Sequence, residues 1–485
     1  MTQPQQSSTA PPGTAVPTMP ALPPQSDRPG APAPRRTPDA APARRTAIAE
    51  GVDRLRAAAT TEPGRLRALG ALLAVLVIAF GAVAAWQTDS RATAADDVLH
   101  HSQPLSSDAA DIYRSLADAN TMAATGYLAG PDETPATRTQ YEDDVRDAAA
   151  KLVTAAANTD PGTTSANLIK QLNERLPEYK GLVESARANN RQGFPVGGAY
   201  LRAANDMMQN KMLPKAQDLY KAENQRLSAD YGDATPYPWF AIGLGVLALA
   251  GLAYAQRRNY QRTNRVLNHG LVAASATTAV VLLWVVVGHT VARAGLDDSY
   301  DHGVKSINVL HDARIASLRA RSDENLTLVS RGSETKKLAN KEVVDTYAWG
   351  YENEIAALGK GLKLADSLAD DSAGRKPVAA ANSSMTVWIS RHKQVQKDNE
   401  LGKYDDARAG VIGTDDSTKE STAECFRTVD ASLDKALTHE TNEFKQSAGD
   451  GLDAMTGLTV GAAVLAVLGA AGAVLGIGRR LSEYR

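Results

Sequence analysis

The sequence predicts an all-α integral membrane protein: four transmembrane helices holding two extracytoplasmic four-helix-bundle domains, related by an internal duplication. Three observations carry that prediction. First, residues 68–86, 234–256, 266–291 and 454–478 contain no Asp, Glu, Lys or Arg. At a rise of ~1.5 Å per residue, each run covers a hydrocarbon core of roughly 30 Å. Second, charge is divided between the segments they separate. Residues 1–67, 257–265 and 479–485 hold sixteen Arg against six acids, whereas 87–233 and 292–453 hold 37 basic against 49 acidic residues. Third, apolar residues between the runs recur at helical spacing, in a chain with only 5% aromatics and abundant alanine. The mean hydropathy of −0.30 conceals this clumping.

Residues 1–45, rich in Pro, Ala, Ser and Thr, are expected to be a disordered cytoplasmic tail. The juxtamembrane segment 46–67 offers Ile48, Val52 and Leu55 to one side of a short amphipathic helix; an unstructured linker is the alternative. The first transmembrane helix, 68–86, follows a tail too long for an ordinary secretory signal, so a retained anchor is expected. Ala82-Val83-Ala84 leaves cleavage open. Trp86, Trp239 and Phe240 stand at run ends, where amphipathic rings favour the headgroup layer.

The first bundle, 87–233, reads as helices near 91–129, 135–158, 163–189 and 197–230. Ile112, Leu116, Ala119, Ala123 and Tyr127 form one apolar stripe, Gly130-Pro131 ends the first helix, and Pro214 is a kink point in the last. The second transmembrane helix is 234–256, the basic loop 257–265 and the third helix 266–291. The second bundle, 292–453, reads as helices near 292–331, 336–370, 376–400 and 416–453, broken at Gly332-Ser333, Asp371–Gly374 and Gly410–Asp416. The fourth transmembrane helix is 454–478, and 479–485 is the cytoplasmic end. Antiparallel packing suits both four-helix sets. The positive-inside rule places both bundles outside and both termini in the cytoplasm of a plasma membrane.

The two halves share a plan and a faint sequence trace. Tyr141-Glu142-Asp143-Asp144-Val145 matches Tyr351-Glu352-Asn353-Glu354-Ile355, with Leu152 and Leu362 at the same distance. Ile112, Leu116 and Gly130 have counterparts in Ile315, Leu318 and Gly332. Duplication explains this better than chance likeness between two bundles.

Little chemistry is visible. No phosphate-binding glycine loop and no nucleophile elbow occur, and Cys425 is the one cysteine. His100, His101, His302 and His311, with Asp96, Asp97, Asp297, Asp298 and Asp301, could bind a cation, although helix-surface polarity is the commoner explanation. The run Glu142-Asp143-Asp144 reads as a solvated face. No enzyme activity, cofactor or resident metal is expected, and the uncharged runs offer no carrier for an ion pathway. Gly472 and Gly476, and Ala241 and Gly245, suit close helix crossings within a membrane bundle or between two copies of the chain. Arg257, Arg258, Arg262 and Arg265 are the candidate cytoplasmic docking residues; setting topology against lipid phosphates is their alternative role.

The stretch DAADIYRSLADANTMAATGYLAG at 108–130, with YLRAANDMMQNKMLPKAQDLY at 200–220, resembles the GlnX-type membrane proteins of Actinobacteria. The four-span layout resembles them over nearly the whole chain. The resemblance implies a signalling link between an extracytoplasmic solute-binding lipoprotein for acidic amino acids or glutamine and a cytoplasmic Ser/Thr protein kinase. Each half is also similar to the helical sensing domains of chemoreceptors, without their output modules. A non-enzymatic transmembrane sensor is therefore the expected function, with a cell-envelope scaffold or an accessory transport subunit as alternatives. The bilayer is an expected partner, a homodimer is an open alternative to a single copy, and nucleic acid is not expected.

Overall fold

The computed structural model describes residues 62–263, 268–413 and 421–481. The tail expected at 1–45 and the juxtamembrane segment up to residue 61 lie outside the described residues, as do 264–265 of the basic loop, 266–267 at the start of the third apolar run, 414–420, and 482–485 of the C-terminal end. About 89% of the structure is helical, and four stretches are long and apolar enough to cross a membrane.

The chain begins with α1, Glu62–Asp97, which runs through a π-helical turn at Val98–Ser102 into α2, Gln103–Ala129. Gly130, at φ 63°, ends α2. Thr134 then accepts a hydrogen bond from the Thr137 amide at 3.2 Å and Pro135 sits in the first turn of α3, Pro135–Ala157. This is the Thr-cap and early-Pro chemistry that starts helices. Thr163 caps α4, Thr164–Arg191, in the same way. Next come α5, Val196–Met207, a second π-turn at Met208–Met212, α6, Leu213–Ala234, and α7, Trp239–Thr263. Pro214 follows the π-turn and falls in the first turn of α6, where its missing N–H is tolerated.

The second half repeats the order. Helix α8, His269–Asp298, passes through a π-turn at Ser299–Val304 into α9, Lys305–Ser330. Then α10, Thr346–Leu368, α11, Ser372–Glu400, α12, Tyr404–Ile412, α13, Thr422–Asp453, and α14, Leu458–Leu481, complete the chain. Two local expectations are corrected. Residues 336–345 are not helical: β1, Thr335–Lys337, pairs antiparallel with β2, Val343–Asp345. Lys341 at φ 69° makes the turn, and Asp345 caps α10 by accepting from the Tyr347 and Ala348 amides at 2.9 Å. Residues 404–412, which fall between the expected helices, form α12, and it ends at Gly413 (φ 81°), inside the break expected at Gly410–Asp416.

The apolar parts of α1, α7, α8 and α14 pack together. Leu73, Val77, Phe80, Ala248, Leu252, Ala274, Val281 and Ala466 face inward, while Leu72, Val75, Ile78, Leu283, Val467 and Leu475 point out and stay exposed. Exposed leucine and valine on all four helices make a girdle that water would disfavour and lipid accepts. Trp86 and Trp239 remain 69% exposed at its edge. The small residues work as expected. A Cβ on Gly270 would collide with the backbone of Gly472 and Gly476, and the Asn268 amide donates to the Gly476 carbonyl at 2.8 Å. Such crossings gain dispersion contacts that lipid alone does not supply.

Where the chain enters and leaves this girdle, the halves match again. Helices α1 and α8 continue into α2 and α9 through a π-turn. The returning helices are interrupted, at Thr235–Pro238 and at Ala454–Gly457. Pro236 and Pro238 force the first interruption. Its exposed carbonyls are taken up by Arg91, which donates to Pro236 at 2.6 Å, and the Ala241 amide donates to the Gln87 side chain at 3.0 Å.

Candidate functional site

Away from the girdle, helices α2–α6 form one set and α9–α13 another. One continuous apolar core links them, from Phe80 and Ala84 through Ile112, Leu116, Tyr179 and Leu219 to Leu358, Trp388 and Phe444. Tyr141 and Tyr351, paired in the sequence comparison, are both fully buried, as are Leu152 and Leu362.

The line of contact between the sets is polar. Asn120 on α2 donates to Asn205 at 2.9 Å and to Ser322 on α9 at 3.1 Å. Asn325 on α9 donates to Thr125 at 2.8 Å, and Asn205 to the Tyr347 hydroxyl at 3.3 Å. A polar seam of this kind favours one alignment, since shifting it strands buried donors.

Within the second set lies a buried charged network. Glu324 accepts from Arg321 at 2.6 Å, from Thr422 at 3.0 Å and from the Trp388 indole at 3.2 Å, and meets His392 Nδ1 at 2.8 Å. Tyr351 stacks on His392 at 3.5 Å. Burial opposes the charge on Glu324. The bond to His392 and the Arg321 guanidinium outweigh it and hold the carboxyl below its usual value. Such a network rewards a single arrangement more than it adds stability.

The sequence-selected histidines separate. His100 and His101 form exposed pairs with Asp96 at 2.9 Å and Asp97 at 3.3 Å, one turn away on their own helix. Asp297 pairs with Arg293 and Asp301 with Lys305. His311 is buried edge-on to Tyr220, 6.1 Å between centroids, and burial pushes it down to about 4.

His302 and Asp298 do share a site. They line a cleft of about 190 Å³ with Ser299, Asp370, Glu443 and Ser447, beside the π-turn that joins α8 to α9. Ser447 donates to Asp298 at 2.8 Å. At its rim His439 Nε2 lies 3.2 Å from Asp371 and 3.3 Å from Glu443. Burial, then Asp370, raises Glu443, and burial pushes neighbouring Glu440 up to about 7. An imidazole with two carboxylates is a donor set that protons and divalent cations both accept. Sequence reasoning missed this grouping because Asp371 and His439 are 68 positions apart.

The solvated-face reading of Glu142-Asp143-Asp144 is corrected. Glu142 and Asp143 reach arginines on the surface, but Asp144 is only 2% exposed. Its spacing of three from Tyr141 and four from Ala148 puts it on the inward face of α3.

Arg257 and Arg258 line, with Tyr254 and Gln261, an open groove of about 570 Å³ at the end of α7. Arg262 lies in the last turn of α7, its side chain not described, and Arg265 lies outside the described residues.

Residues 94–232 match the family model of an actinobacterial sensor domain. The match begins just past the first apolar run and stops just short of the second, so it coincides with the first helical set. No curated protein and no solved structure matches the chain.

Proposed function

We propose that the chain is a non-enzymatic transmembrane sensor and transducer whose two helical sets lie outside the plasma membrane. The observation that carries this reading is the continuity of α1–α2 and α8–α9. Each is one helical rod spanning girdle and helical set, from Glu62 to Ala129 and from His269 to Ser330. A rod joining a sensor-type domain to a membrane crossing converts a change in outer packing into a displacement at the far end. The sensor-domain match to the first set supports the sensing half of the argument.

The arginine excess of the short segments orients the rods, with both termini inside. The parallel placing of π-turns, interruptions and buried tyrosines supports a duplicated unit. Tyr351 follows Gly332 by eight residues more than Tyr141 follows Gly130, and the β1–β2 hairpin lies in that longer stretch. On this reading an extracytoplasmic solute-binding lipoprotein engages the outer sets in response to an acidic amino acid. A Ser/Thr kinase receives the signal at the face presented by Arg257 and Arg258. Ligand or partner acts by preferring one packing of the outer helices over another.

The test is photocrosslinking in cells from positions on α3, α11 and the end of α7, with and without glutamate and aspartate. An outer binding protein should be captured, and capture of a kinase near α7 should change with the amino acid. Identical partners in both conditions would refute a transducing role.

A further inference from the structure

The carboxyl groups of Asp118 and Asp144 face each other across α2 and α3, in the middle of the first helical set. Both residues are buried, at 8% and 2% exposure. Asp118 Oδ1 and Asp144 Oδ2 have no donor among the described residues, although the two carboxyls lie within hydrogen-bonding reach of each other. Two buried carboxylates without a donor between them are untenable; one proton held between them satisfies both.

Every charged neighbour is already engaged or lies at a distance. On α2, Arg114 lies 3.8 Å from Asp111. On α3, Gln140 donates to the other oxygen of Asp144 at 3.1 Å, and Asp147 adds repulsion. From α4 the Tyr179 hydroxyl is directed to Asn120. From α9, Arg314 is occupied by Asp430 at 2.6 Å and Asp434 at 2.8 Å on α13. Asp430 itself faces Asp118 across the boundary between the two sets and disfavours its charge. No ion pair reaches either carboxyl among the described residues.

We propose that Asp118 and Asp144 share a proton that locks α2 onto α3, so that alkaline medium loosens the first helical set at its boundary with α9 and α13. Burial, then Asp430, pushes Asp118 up to about 6; burial, then Asp118, pushes Asp144 up to about 8. Both values are raised above that of an unfolded aspartate. The folded chain therefore keeps protons that the unfolded chain has lost. The stabilisation is complete below the ordinary carboxylate value and disappears as pH rises through about 6 to about 8. On the proposed topology the pair samples external acidity, whatever ligand the sensor takes.

The experiment is thermal unfolding of the full chain in lipid nanodiscs across this range, with hydrogen exchange of the α2 and α3 amides corrected for intrinsic rate. Wild type should lose apparent Tm, and α2–α3 protection should fall, as pH rises from about 6 to about 8. Asp144→Asn and Asp118→Asn each replace the shared proton with a permanent N–H donor of the same shape. Each should retain less than half of the wild-type pH slope. A protonated-carboxyl infrared band should be present at neutral pH in wild type and reduced in either variant. A flat wild-type profile, or variants that keep the full slope, would overturn the proposal. The readout uses neither partner nor amino acid, so its failure leaves the transducer reading intact.

Discussion

Glu324→Ala should be among the most damaging substitutions in the second helical set. The magnitude follows from what the carboxylate holds. Arg321, 1% exposed, would keep, among the described residues, the Thr422 hydroxyl at 2.9 Å and the Val411 carbonyl at 3.2 Å. Trp388 Nε1 and His392 Nδ1 would lose their acceptor. Each stranded donor costs ~1–3 kcal/mol, and removing one partner of a buried ion pair costs ~3–5 kcal/mol in total. For a cooperative unit of this size, that is an apparent Tm lower by about 10 °C. The assay is thermal unfolding of the full chain in nanodiscs, followed by near-UV circular dichroism of the buried tryptophan. Combining Arg321→Met with Glu324→Leu removes both charges and should recover more than half of the loss. The carboxyl is held below its usual value, so this stability is present above the ordinary glutamate pKa and is lost as pH falls below it. A Tm change under about 2 °C for Glu324→Ala, or a double variant equal to the sum of its singles, would refute the account.

Three further outcomes are expected. Gly270→Leu places a side chain against the backbone of Gly472 and Gly476 and should separate α8 from α14, read as loss of a cysteine crosslink engineered across that crossing. His311 is held down to about 4 by burial, so its contribution is present above the ordinary histidine value and is lost as pH falls from about 6.5 to about 4. His311→Phe keeps the contact with Tyr220 and should flatten the acid limb of the Tm profile. Cys425, 6% exposed with Arg391 donating to its sulfur at 3.2 Å, should resist a membrane-impermeant maleimide on intact cells until mild denaturant is added. Labelling only after lysis would reverse the proposed orientation.

The membrane-crossing helices were legible because lipid imposes a length and a composition that few soluble helices satisfy. Small-residue crossings were legible for a related reason: Gly472 and Gly476 leave little else on that face of α14 to contact. The hairpin was not. Thr335–Asp345 is rich in lysine and short of apolar alternation, and its strands are defined by the turn at Lys341 and the cap at Asp345, which act only once the backbone is in place. The Asp144 error had another cause. A run of acids reads as one solvated unit in the sequence, whereas helical geometry sends consecutive residues to different faces. Glu324 and His392 stand 68 positions apart, so no local pattern could join them; only the packing of α9 against α11 does.

The proposed signalling route depends on the contrast between the polar seam and the apolar core. Apolar contacts between α2 and α9 would tolerate gradual sliding, because dispersion is not directional. The bonds from Asn120 to Ser322 and from Asn325 to Thr125 are directional, so relative motion must leave one satisfied arrangement and reach another. That requirement favours discrete steps at the seam over gradual sliding. Because α2 and α9 run on into α1 and α8, a step at the seam is carried into the girdle by two rods. The interruptions at Thr235–Pro238 and Ala454–Gly457 free the other two helices from following. The π-turns at Val98–Ser102 and Ser299–Val304 lie between each rod's apolar run and its outer helix, and a π-turn lets a helix change rotational phase without breaking. A step at the seam would therefore emerge as rotation of α1 and α8 against α7 and α14. Asn120→Ala should then change the crosslinking yield at the α8–α14 crossing, and an unchanged yield would refute the coupling.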